Sequence, residues 1–144
     1  MTKDKIRAKE LRNMLSGPFI WVLIIPLAIL DIFLEIYHHV CFPLYGISLV
    51  KRSHYIRITD RAKLPYLKWY EKFFCAYCGY ANGFLHYASV IAGKTEAYWC
   101  AISHLETRGY KPTEHEKSFA QYGDESSLRR RYALHDEEYG EDDR

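Results

Sequence analysis

Between Gly17 and Val50 lie 34 residues, among which only Asp31, Glu35, His38 and His39 readily carry charge. A run this apolar has two destinations, the interior of a folded domain or a lipid bilayer. Its purest part, Pro18 to Leu30, is 13 residues, short of the roughly 20 that a helix needs to cross a bilayer core. Extending it to Tyr45 reaches that length but includes two carboxylates, each costing about 3 kcal/mol at the midplane and less near an interface. The basic start (Lys3, Lys5, Arg7, Lys9, Arg12) and the apolar run together look like a signal peptide. However, Asp31-Ile-Phe-Leu-Glu35 stands where a small-x-small cleavage site would be, so the segment reads as retained. Five Lys/Arg precede it and five follow within Lys51–Lys63, so the positive-inside rule has nothing to choose between. Equal basic flanks also suit a segment that enters and returns on one side, with Pro26 supplying the bend. The expectation is a membrane anchor in contact with the lipid bilayer, spanning or re-entrant, with the following domain on the cytoplasmic side. The alternative is a buried core helix.

Charge divides along the 144-residue chain. Residues 1–110 carry a net +6 and residues 111–144 a net −4, giving +2 overall. A basic body beside an apolar segment suits an anionic membrane surface. The near-neutral total argues against nucleic-acid binding, and 49% hydrophobic residues with 16% aromatics exclude a wholly disordered chain.

Four cysteines carry the chemistry: Cys41, Cys75, Cys78 and Cys100. Cys75-Ala-Tyr-Cys78-Gly79 is a C-x-x-C-G step, in which two thiolates can share an ion and Gly79 permits a tight turn. Cys100-Ala-Ile-Ser-His104 follows, so the whole reads C-x2-C-x21-C-x3-H, three thiolates and an imidazole, a tetrahedral zinc set. Asn82-Gly83 is expected to turn the chain after the knuckle, and Phe84 to Leu105 to form one helix. At 100° per residue, His86, Gly93, Ala97, Cys100 and His104 then share one face, whose small residues leave room for the Cys75–Cys78 loop. Glu96 lies at the edge of that face. Four protein ligands argue for a structural site. Competing readings are a redox dithiol at Cys75/Cys78, structural or disulfide-paired cysteines, or an iron site that recruits Cys41. Glu71, His86 and Glu96 are the acid/base candidates if the protein is an enzyme. Asp31, Glu35 and His38 fall on one helix stripe, and Glu35-x-x-His38 has the i, i+3 spacing of carboxylate-bridged di-iron bundles, without a matching pair elsewhere.

Tyr66-Leu67, Glu71-Lys72-Phe73, Cys75-Ala-Tyr-Cys78-Gly-Tyr-Ala-Asn82-Gly83 and Thr95-Glu96-Ala-Tyr98-Trp99-Cys100-Ala-Ile-Ser-His104 together resemble small uncharacterised bacterial membrane proteins. The similarity covers roughly residues 17–105. This chain has Ala101 where the resembled proteins often carry proline, which leaves the candidate ligands intact. The resemblance implies a membrane protein and brings no activity with it.

Arg61 to Phe74 reads as a short amphipathic helix opening at Pro65, with lysines among aromatics. Tyr55–Thr59 alternates like one short strand. Arg129–Arg131 followed by clustered acids reads as a charge-segregated, disordered tail. No P-loop, G-x-S-x-G, H-E-x-x-H or G-x-G-x-x-G is present. The expected architecture is mostly α: a basic segment (1–16), an apolar membrane anchor (17–50), a small helical Cys/His metal-binding domain (51–106) and an acidic tail (107–144). The leading functional expectation is a membrane-anchored zinc-binding protein of structural or assembly type, with other membrane protein subunits as further partners. The alternatives are a membrane-associated enzyme or thiol-redox protein, and an iron or electron-transfer subunit.

Overall fold

The computed structural model describes residues 3–139. Residues 1–2 of the basic segment and the acidic end from 140 to 144 lie outside the described residues. Four helices account for most of the chain: α1 (Lys3–Val22), α2 (Ile24–Leu44), α3 (Trp69–Trp99) and α4 (Glu125–Tyr139). Among the described residues there is no β-strand, only an isolated parallel bridge between Ile102 and Ala120. The chain divides into two compact units, residues 1–36 and 37–144.

In the first unit, α1 and α2 are separated by Leu23 alone. Pro26 explains the interruption. It has no N–H to give the Val22 carbonyl, and its ring crowds that carbonyl. The backbone adapts by a tighter bond from Leu23 N to Ile20 O and resumes with Leu27 N to Leu23 O, both 3.3 Å. Pro26 therefore interrupts the helix for one residue. Leu15–Leu44 is one stretch long and apolar enough to cross a membrane, and only 6% of its most apolar part is buried. Phe19, Val22, Ile25, Ile29, Ile32 and Phe33 are all exposed.

In the second unit, α2 ends in a Schellman arrangement. Gly46, at φ 69°, supplies the left-handed residue, Ile47 N donates to Phe42 O and Gly46 N to Pro43 O. Phe42 and Ile47 are both buried against the same core. The returning chain then brings the Val50 N–H to His38 Nε2 at 2.9 Å. An N–H can only donate, so Nε2 is the acceptor and the neutral ring carries its proton on Nδ1. That Nδ1–H donates to the Tyr87 hydroxyl at 3.1 Å. Ala81, Phe84, Tyr87 and Ile91 form the buried stripe of α3 at helical spacing. Tyr37 and Thr95 add a hydroxyl pair at 2.7 Å.

α3 departs most from the sequence-based expectation. A knuckle at 75–79 and a turn at 82–83 were expected, and the structure has an uninterrupted 31-residue helix. It opens at Trp69, where the Glu71 carboxylate accepts the Lys68 backbone N–H at 2.8 Å, so Pro65 does not begin it. Asn82 turns its amide back on the helix, donating to Cys78 O at 3.0 Å. The glycines stay helical because another backbone rests on them. A Cβ on Gly83 would lie 2.6 Å from Tyr55 O and 2.9 Å from Ile56 Cα, and one on Gly79 would collide with Arg57 O. Tyr55–Thr59 is accordingly no strand but a connector laid on α3, where it has no strand partner.

Gly83→Ala is therefore expected to destabilise the protein, although alanine is the better helix former by about 1 kcal/mol. The clash is with backbone that cannot swing away, so a net loss of about 1–3 kcal/mol is expected. A lowered melting temperature in detergent, beside a Gly17→Ala in α1 that holds or raises it because nothing lies within 4 Å there, checks this.

Candidate functional site

The four residues expected to hold zinc are not brought together. Cys75 and Cys78 sit one turn apart near the start of α3, and Cys100 caps its other end. Twenty-two helical residues at 1.5 Å each separate Cys78 from Cys100 by about 33 Å, whereas ligands sharing one ion lie about 4 Å apart. Cys100 and His104 do not share a helix either. α3 closes with Cys100 N donating to Glu96 O at 2.7 Å, and Cys100 turns to φ −151°. All four cysteines are free thiols, with Cys78 and Cys100 exposed. Glu71 is occupied as the helix cap described above.

His104 instead meets Glu96 and a residue the sequence reading passed over, His115. Glu96 reaches out from the last turns of α3. Its Oε2 lies 2.9 Å from His115 Nε2 and its Oε1 3.8 Å from His104 Nε2. Of the expected face, His86, Gly93 and Ala97 line one cleft of about 550 Å³, whereas Cys100 and His104 lie past the last helical residue. The opposite wall of the cleft is the turn Thr113–Ser118, not the cysteine segment. The His115 ring lies directly over Gly93, where a Cβ would come within 2.7 Å of Nδ1. A side chain at Gly93 would displace the His115 ring.

The segment from residue 107 onward, which carries His115, was expected to be loose, and within the described residues it is built. Ala120 N donates to Ala101 O and Ser103 N to Ala120 O, both 2.8 Å, so the loop closes on itself. Ala101, Phe119 and Ala120 are buried beneath that closure. Glu116 is also buried. It accepts the Thr113 hydroxyl at 2.6 Å, the Thr113 N–H at 3.0 Å and the Tyr110 hydroxyl at 2.7 Å. These donors hold its carboxyl down to about 2. The same bond to Glu116, with desolvation, pushes Tyr110 up to about 12. Thr113-x-x-Glu116 is a capping-box pattern, the one sequence signal that marks this turn. Further on, Asp124 accepts the Ser126 hydroxyl and the backbone N–H groups of Ser126 and Ser127 at the start of α4, and its carboxyl is lowered for that reason.

Two other groupings stand outside this site. Glu35, His38 and His39 place ligand atoms within 4.8 Å of one another along one turn of α2. Both His38 nitrogens are already committed, however, to Val50 and Tyr87. A second cleft, of about 400 Å³, is lined by Cys78, His54, Arg57, Arg61 and His86, and the His86 ring meets Tyr55 edge-on at 4.9 Å.

No protein-family model matches the chain, and neither a curated protein nor a solved structure matches it.

The pH response of the loop follows from Glu116. Its folded value is depressed from 4.5 to about 2, so its stabilisation is complete above about 4.5 and fades as pH falls toward 2. The difference in thermal midpoint between wild type and Glu116→Ala is expected to be constant from pH 5 to 8. It should shrink steadily on acidification below about 4.5, as read by melting curves at stepped pH.

Proposed function

We propose that this chain is a membrane-anchored helical protein of assembly type, which holds a small folded domain at a bilayer and offers it to other membrane subunits. The observation that carries this reading is the apolar helix itself, long enough to span and almost wholly uncovered. A core helix of a soluble domain would be mostly buried. The part belonging to the first unit, Leu15 to Ile36, is 22 residues, about 33 Å of helix, close to the roughly 30 Å of a hydrocarbon core. Exposed contiguous apolar surface on this scale marks a lipid or protein contact.

The start of the second unit's long helix supports the same reading. Tyr66, Trp69, Phe73 and Phe74 are exposed, with Lys63, Lys68 and Lys72 in the same stretch. Aromatic rings beside lysines suit the headgroup zone, where rings bury their faces and cations meet lipid phosphates. Asp31 and Glu35 stand within about two turns of the end of the first-unit stretch, where charge costs less than at the midplane.

Full-length protein is expected to sediment with membranes, to resist alkaline carbonate and to need detergent for release. A double Ile25→Arg, Ile29→Arg variant should lose that retention, since each arginine adds about 2.5–3.5 kcal/mol near the centre of a span. Wild-type protein in the carbonate supernatant would end the anchor reading.

A further inference from the structure

We propose that Glu96, His104 and His115 form a binding site for one divalent transition-metal ion, with zinc the best match. This goes beyond the anchoring reading and moves metal binding to residues that the cysteine spacing does not indicate. Two imidazoles and a carboxylate are a donor set that zinc and ferrous iron accept, leaving further positions for water. Tetrahedral zinc with bonds near 2.0–2.1 Å keeps its donors about 3.3 Å apart. The two separations around Glu96, 2.9 Å to His115 and 3.8 Å to His104, fall on either side of that value.

The surroundings are those of a site held in place. His115 is seated in the gap left by Gly93, and binding an ion through Nε2 would replace that nitrogen's 3.2 Å contact with Thr113 Oγ1. Thr113 in turn is fixed by Glu116, and the 101–120 closure returns both histidine segments to the end of α3. His104 is the adjustable member. Its side chain is 64% exposed and meets the Tyr110 ring edge-on at 5.7 Å. Among the described residues only Glu35, His38 and His39 already have three donor atoms mutually within 4.8 Å, so loading here requires His104 to rotate inward. A solvent-exposed side chain can do so with little rearrangement. Bound in this way, the ion would replace a bare carboxylate–imidazole contact by three bonds joining α3 to the returning loop.

The test uses full-length protein purified in detergent, titrated with cobalt(II) and then competed with zinc. Wild type is expected to take up one cobalt with visible d–d bands and no thiolate-to-metal charge-transfer band, and zinc should displace it. His104→Ala and His115→Ala should each weaken zinc binding by about a hundredfold or more, since even outer-shell changes cost 10–100-fold. A Cys75→Ser, Cys78→Ser, Cys100→Ser variant should bind as wild type does. Nitrogen-15 spectra of the wild type alone guard against misfolded variants: zinc should shift the ring signals of His104 and His115 and leave His86 in place. A thiolate band, loss of metal in the cysteine variant, unaltered affinity in both histidine variants, or no uptake by wild type would each overturn the proposal. None of these readouts depends on whether the helix crosses a bilayer, so the two proposals fail separately.

Discussion

The second unit depends on one buried imidazole. His38 accepts from the Val50 backbone on one nitrogen and donates to Tyr87 on the other. That single ring joins the end of α2, the chain that returns from it and the middle of α3. Its edges also meet Phe42 and Tyr87 at 4.6 and 5.8 Å. An unpaired polar group at such a position would cost about 1–3 kcal/mol. Both ring nitrogens are paired, so the position sets the register of the helix pair instead of weakening it.

From that anchor point α3 runs in both directions, and its glycines decide what lies against it. Gly79 and Gly83 admit the Tyr55–Arg57 backbone, and Gly93 admits the His115 ring. The first pair fixes the connector and the third fixes the return loop. Continuity of the helix through all three positions puts the cysteines of the C-x-x-C step at one end and Glu96 at the other. The chemistry of the domain is therefore split: Cys78 beside a polar cleft lined by Arg57, Arg61, His54 and His86, and Glu96 with His104 and His115 at the far end.

Much of this was legible in the sequence, though not in the form the motif suggested. The long apolar helix could be read from Gly17–Val50 because apolar length is a coarse property that local geometry does not disturb. The face shared by His86, Gly93 and Ala97 could be read because 3.6-residue periodicity holds wherever the helix does. The cysteine clamp could not be tested that way. C-x-x-C-G followed by Asn-Gly is equally consistent with a knuckle and with a helix whose glycines receive another backbone, and only the partner decides. The loop at 101–120 was missed for a related reason. Its order comes from Glu116, Tyr110, Thr113 and a few small buried residues, with little of the aliphatic content that marks a core. The Thr113-x-x-Glu116 spacing was its one readable sign.

The continuity of α3 is the claim on which the placement of both chemistries rests. It can be measured with two native residues, because Cys78 and Cys100 are exposed thiols. Spin labels on these two, with Cys41 and Cys75 replaced by serine, give their separation by pulsed electron–electron resonance in detergent or nanodiscs. An uninterrupted helix predicts a narrow distribution centred near about 33 Å, broadened only by the label arms. A distribution concentrated below about 15 Å would mean that the chain turns at Gly79–Gly83 and folds its cysteines together, contradicting the structure and the assignment built on it.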